Sequence, residues 1–302
     1  MAVYKRAYRP YEGALTPERW RFLVLPRYAY REVLEQRLLT AFLVLCFVPF
    51  LVEIAMVYIA NSTAAQAMLQ LRPGDVGRLV SNEFFLGILS VQGALAFFLT
   101  AWLAPVLVSP DLVNGALPLY LARPFTRAEY VLGKAAVLTG LLSLITWVPC
   151  LVVFSVQAGM APSGWLAENL RLAWALFAGA WVWIAVLTLM GLALSAWIRW
   201  RLVASAALFG IFFMGGAFGE IWREVLHSAW GRLVNLSYMI GIVWRDLFGI
   251  VSRRSLAREM LDDHRRGAAD QPVLAAWLGL LAVCAVSLWL LNRRLRAREV
   301  VS

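Results

Sequence analysis

Charge, histidine and paired cysteine are all scarce in this sequence. Charged residues fill only 15% of its 302 positions, against 62% hydrophobic ones, a balance that excludes a soluble domain of this length. The two histidines, His227 and His264, stand far apart in a charged segment, with no H-E-x-x-H or G-x-S-x-G around them. Neither a metal centre nor a hydrolase triad can be assembled from such a set. Cys46, Cys150 and Cys284 each sit inside an apolar run without a C-x-x-C partner, and read as small buried hydrophobes. A P-loop is missing as well: Gly133-Lys134 is followed by Ala135, and Ala128 stands where its first glycine belongs. The chain is therefore expected to be a non-catalytic protein that holds no metal and no cofactor of its own.

What the sequence has in abundance is long apolar runs. Crossing about 30 Å of hydrocarbon takes about 20 residues of helix, and runs of that length lie at about 38–59, 85–108, 136–157, 172–198, 202–219 and 273–291. Open strands would leave backbone groups unpaired in lipid, so the fold class is all-α, a polytopic membrane bundle of six transmembrane helices. Residues 1–37 carry eight Lys or Arg and four Glu ahead of the first run, with no small-residue cleavage site after it, so the N-terminus is expected to be retained and cytoplasmic. With that end inside, the segments 1–37, 109–134, 199–201 and 292–302 hold 17 of the 28 basic residues, while the outer loops 60–84 and 158–171 hold three. This bias places both termini in the cytoplasm. The segment 220–272 then lies outside, with eight basic residues against seven acidic ones.

Three regions flank the spans. Residues 17–37 alternate Phe22, Leu23, Tyr30, Val33 and Leu34 with arginines and glutamates, which predicts a helix lying on the inner surface. Residues 233–244 are apolar but too short to cross, and Arg245-Asp246 ends them; over 233–248 an outer re-entrant segment is expected, with an extra span as the rival. Within the spans, Glu53 is the single acid, and Glu53, Gln92 and Gln157 are the side chains that could line a pathway. The fifth span spaces Ala206 four residues from Gly210 and Gly215 four from Gly219, which predicts close helix packing, inside one subunit or between two.

The connector SPDLVNGALPLYLARPFTRAEYVLGK, residues 109–134, is more elaborate than a chain reversal needs; Arg199-Trp200-Arg201 suffices between the fourth and fifth spans. Ser109-Pro110-Asp111 reads as a helix start, with Ser as cap, Pro at the first turn and Asp at the positive dipole end. An amphipathic helix bearing Leu112, Val113, Ala116 and Leu117 is expected to follow and to break at Pro118. Thr126-Arg127-Ala128-Glu129 spells a capping box. A second helix is predicted to begin there and run without interruption into the third span, with Lys134 snorkelling to the headgroups.

These residues resemble the coupling segment of type-2 ATP-binding-cassette (ABC) transporter permeases, in which R-P-x-[ST]-R-x-x-[YFIL]-x-x-G-K follows a D-x-x-x-G-x-L helix. Asp111, Gly115, Leu117, Arg123, Pro124, Thr126, Arg127, Tyr130, Gly133 and Lys134 carry the match, and Asn114 and Glu129 lie within it. The resemblance covers nearly the whole chain: a cytoplasmic region 1–37 with its interfacial helix, then a six-span permease domain over 38–302. It implies a permease subunit of an exporter in a bacterial inner membrane, paired with a second, identical or homologous permease. Two copies of a separate ATPase subunit, which would carry ATP and magnesium, dock on the elbow; nucleic acid is not an expected partner. The charged clusters Arg253-Arg254 and Asp262-Asp263-His264-Arg265-Arg266 depart from the simpler form of the pattern. A membrane scaffold that recruits a cytoplasmic protein through the same elbow is the alternative, whereas an ion-coupled carrier would need more ionisable groups than Glu53.

Overall fold

The computed structural model describes residues 24–70, 80–115, 126–226, 233–250 and 273–295, together with Pro17 and Trp20. Regular structure among them is entirely helical: α1 (Val24–Glu35), α2 (Arg37–Leu45), α3 (Val48–Asn61), α4 (Thr63–Met68), α5 (Asn82–Leu107), α6 (Ser109–Val113), α7 (Arg127–Ile145), α8 (Trp147–Met160), α9 (Trp165–Glu168), α10 (Leu170–Trp197), α11 (Arg201–Leu226), α12 (Leu236–Leu247) and α13 (Val273–Arg294). Six stretches are long and apolar enough to cross a membrane: Arg37–Asn61, Asn82–Val113, Arg127–Met160, Leu170–Trp197, Arg201–Trp222 and Val273–Arg294. They correspond to the six runs read from the sequence, and the chain is a multi-pass helical membrane protein.

Two spans are broken, each three residues before a proline. Proline has no N–H to give the carbonyl one turn back, and its ring crowds that turn. The first span therefore divides at Cys46-Phe47 ahead of Pro49. The helix that starts at the capping box runs into the third span as expected, and that span divides at Thr146 (φ −109°, ψ −93°) ahead of Pro149. At the break, the Leu142 carbonyl accepts from both the N–H and the Oγ1 of Thr146, at 3.0 and 2.7 Å.

The bundle is organised around α5 and α10, which pack along most of their length. Gly191 brings α10 against Ala104 and Thr100 of α5; a Cβ there would lie 2.7 Å from the Ala104 Cβ. Gly93 and Gly179 are likewise overlaid by indoles, whose N–H groups find backbone acceptors: Trp183 Nε1 donates to Gly93 O at 2.8 Å and Trp244 Nε1 to Gly179 O at 2.9 Å. Buried indoles need such partners. Burial falls from 67% of the most apolar window of the fourth span to 22% in the fifth and 17% in the sixth, so these last two are peripheral and leave most of their apolar surface uncovered within this chain.

The small residues picked out in the fifth span behave differently from one another. Ala206 is exposed and Gly210 meets no other helix, which corrects the predicted packing at that pair within this chain. Gly215 does permit close approach, with the Val234 carbonyl 3.2 Å from where its Cβ would be, and Gly219 is buried. The residue after them in space is α12, twelve residues long, capped by Asn235 and buried through Leu236, Met239, Ile240, Val243 and Trp244. It packs on α10, α11 and α13. Asn82 Nδ2 donates to Phe248 O at 3.0 Å, and Arg171 lies beside Gly249, so α12 ends at the same end of the bundle where α5 and α10 begin.

Candidate functional site

At the opposite end, where α5 and α10 finish and α7 and α11 begin, the connector is bonded to the bundle. Asp111, in the single turn α6, accepts from Tyr130 Oη at 2.7 Å and pairs with Lys134 Nζ at 2.8 Å. Tyr130 and Lys134 stand one turn apart on α7, hence on one face, and the ammonium also lies 5.7 Å from the Tyr130 ring centroid. Lys134 and Asp111 are only 13% and 17% exposed. Charge-assisted bonds in so sheltered a place are stronger than their surface equivalents. The snorkelling expected of Lys134 is corrected accordingly: its ammonium turns to Asp111 because a carboxylate lies within reach and lipid headgroups offer no fixed partner.

The start of α6 also differs from the sequence reading. Ser109 lies within the helix and is buried, so it does not cap it. The oxygen comes instead from α10: Ser195 Oγ accepts from the Val108 and Ser109 N–H groups at 3.2 and 3.0 Å, and Ser109 Oγ donates to Arg199 O at 2.8 Å. A serine 86 residues away in sequence thus satisfies donors that a helix start leaves open. The helix stops at Val113, with Asn114 exposed at its C-cap and Gly115 at φ +66°, a left-handed conformation suited to glycine. The rest of the helix predicted to run to Pro118, with Ala116 and Leu117, lies outside the described residues, as do Arg123 and Pro124.

The capping box is present in full. Glu129 N–H donates to Thr126 Oγ1 at 3.2 Å, and Thr126 N–H donates to Glu129 Oε2 at 2.6 Å. Arg127 is exposed beside it, and Gly133 is buried one turn further. On the same helix, α1 docks through Tyr30, whose hydroxyl donates to Ala136 O at 2.8 Å; burial pushes this phenol above its usual range. A helix is present over Val24–Glu35, within the stretch 17–37, and it packs on α7 while exposing Arg27 and Arg31.

The three residues offered as pathway side chains are all buried within this one chain. Gln157 is not free: its Oε1 accepts from Asn61 Nδ2 at 2.7 Å, tying α8 to α3. Glu53 leaves Oε2 without a partner, and Gln92, fully buried, leaves both amide atoms so. A cleft between α5, α10 and α11, lined by Thr100, Ala104, Gly191 and Leu208 among others, is too tight for a water molecule. No group of three or more potential metal ligands occurs among the described residues, and both histidines lie outside them. Ser195 was the functional contact the sequence did not reveal, since nothing in a run of apolar helix marks which serine faces a neighbour. No protein-family model matches this chain, and no curated protein matches it either.

Proposed function

We propose that this chain is the membrane-spanning permease subunit of an ABC exporter, coupled through the 109–134 elbow to separate ATPase subunits. The observation that carries the reading is the Asp111–Tyr130–Lys134 junction, which joins the helix before the elbow to the one after it. Those three residues are among the ones that carry the resemblance to type-2 permeases. A connector clamped at both ends transmits a push, whereas a loose one would absorb it. In this reading the translocation path lies between two permease subunits, a cell inner membrane houses them with both termini cytoplasmic, and ATP and magnesium sit on the partner ATPase. Residues 233–248 form a re-entrant element at the outer face, α12 being too short to cross.

The test is co-purification of the chain with the ATPase encoded nearest to it, followed by ATPase assays in proteoliposomes. The expected result is a complex whose hydrolysis changes on adding the chain and loses that response with Arg127→Ala or Lys134→Ala. An ATPase that binds while nothing is moved across the bilayer would favour the scaffold reading instead. Failure to bind any ATPase would end both the coupling assignment and the role given to Arg127.

A further inference from the structure

A cluster of guanidinium groups not used by the junction gathers at the same end of the bundle, on the side of α10 away from α7. Arg199 and Arg201 flank the turn from α10 to α11, and Arg293 and Arg294 close α13; all four are exposed. None pairs with a carboxylate among the described residues. Of the described carboxylates of this end, Asp111 is taken up in the junction, Glu129 in the capping box and Glu35 in an ion pair with Arg31. Two of the four arginines lie over aromatic rings: Arg294 Cζ is 5.7 Å from the Trp197 ring and Arg293 Cζ 5.2 Å from the Trp289 ring. Trp197 Nε1 donates to Leu290 O at 3.0 Å and Arg294 Nε to Ala196 O at 3.3 Å, so α13 is stitched to α10 just here.

The surface next to this charge is apolar and open. Near the first turns of α13, α12 occupies the space toward α11, with Met239 against Gly279 and Val234 against Gly215. Near its last turns α13 rests on α10, while α11 leans away onto α5, where Ser205 Oγ donates to Ala101 O at 2.7 Å. Trp200, Leu202 and Trp289 are left 75%, 85% and 57% exposed beside the arginines. A guanidinium cluster directly above exposed indole and alkyl surface matches a ligand with a phosphate head and hydrocarbon tails.

We propose that Arg199, Arg201, Arg293 and Arg294 form a binding site for an anionic phospholipid of the leaflet at this end, its acyl chains lying along α11 and α13. This inference rests on the spans alone and stands whether or not the chain is an ABC permease. A free phosphate would be served by the arginines without the apolar apron that Trp200, Leu202 and Trp289 add.

The test is native mass spectrometry of the detergent-purified full chain with phosphatidylglycerol or phosphatidylcholine added. Phosphatidylglycerol should bind in preference. Each guanidinium removed near an anionic headgroup is worth about a fivefold change in affinity, so Arg199→Gln/Arg201→Gln should weaken phosphatidylglycerol roughly thirtyfold. Neither side chain is bonded to another described residue, so the variant should fold; a second variant, Arg293→Gln, checks the opposite wall and should also weaken phosphatidylglycerol. Arg245→Gln, a cation at the far end, should leave binding unchanged, and glycerol phosphate should not compete. Equal binding of the two lipids, full retention in the Arg199/Arg201 variant, competition by glycerol phosphate, or displacement of the lipid by an added ATPase would each overturn the proposal.

Discussion

Two polar clusters lie inside this bundle, and they are satisfied to very different degrees. At the junction, Asp111 has both a hydroxyl and an ammonium on one carboxylate oxygen, supplied by adjacent turns of one helix. Among α3, α5 and α8, Glu53 leaves an oxygen unmatched and the Gln92 amide is unmatched on both sides. A buried polar group without a partner costs about 1–3 kcal/mol, whereas a paired one is close to neutral or better. The junction thus specifies a geometry, while the Glu53 and Gln92 positions cost stability and are retained in spite of it. Positions that break a local rule in this way are where function is usually found.

The sharpest way to break the contrast is to remove one member of the satisfied cluster. Lys134→Ala should destabilise the detergent-purified chain by about 3 kcal/mol, since it strands a sheltered carboxylate. Asp111→Ala/Lys134→Ala should recover part of that loss, and a wild-type melting curve for Lys134→Ala would show the junction to be no clamp. Packing offers a parallel contrast between two glycines. Gly191→Val should cost about 2 kcal/mol by driving α10 off Ala104, whereas Gly210→Val, in open space, should leave thermal stability unchanged.

For the unsatisfied cluster the sign reverses. Gln92→Leu should raise stability by about 1 kcal/mol, because it removes two orphaned groups and keeps the volume; a marked loss would reveal a partner for the amide. Thr126→Ala removes the cap of α7 and should cost about 1 kcal/mol in the same assay. Smallest is Tyr30→Phe, about 0.5–1 kcal/mol for one hydrogen bond to Ala136. Burial raises the folded Tyr30 above its unfolded value, so its contribution is complete below about pH 10 and fades as pH rises through the higher folded value. The pH dependence of melting should flatten there in Tyr30→Phe.

Hydropathy alone located the six spans, because in lipid the backbone leaves one option and length decides the rest. The capping box was equally legible, since its two partners are three residues apart and both side chains are local. Lys134 and Ser109 were misjudged for the converse reason. Their partners, Asp111 and the Ser195 and Arg199 pair, come from other helices, and no local pattern reports which face of α10 meets α6. The small-residue spacing in the fifth span shows the same limit: Ala206 and Gly210 fit a packing motif yet meet no other helix, while Gly93, Gly179 and Gly191 in α5 and α10 follow no repeated spacing and are closely packed. Pro149 was visible throughout; what it does to the third span depends on the turn it interrupts.

That interruption at Thr146 gives the third span two separate sets of attachments. Below it, α7 is fastened to α6 through Asp111 and to α1 through Tyr30; above it, α8 is fastened to α3 through Asn61 and Gln157. The first span breaks at Cys46-Phe47 in the same manner, so α3 and α8 share a partnership from which the lower halves are excluded. The third span thus has a knee at Thr146: its lower half is held by α6 and α1, its upper half by α3, and only the turn between them joins the two sets of attachments.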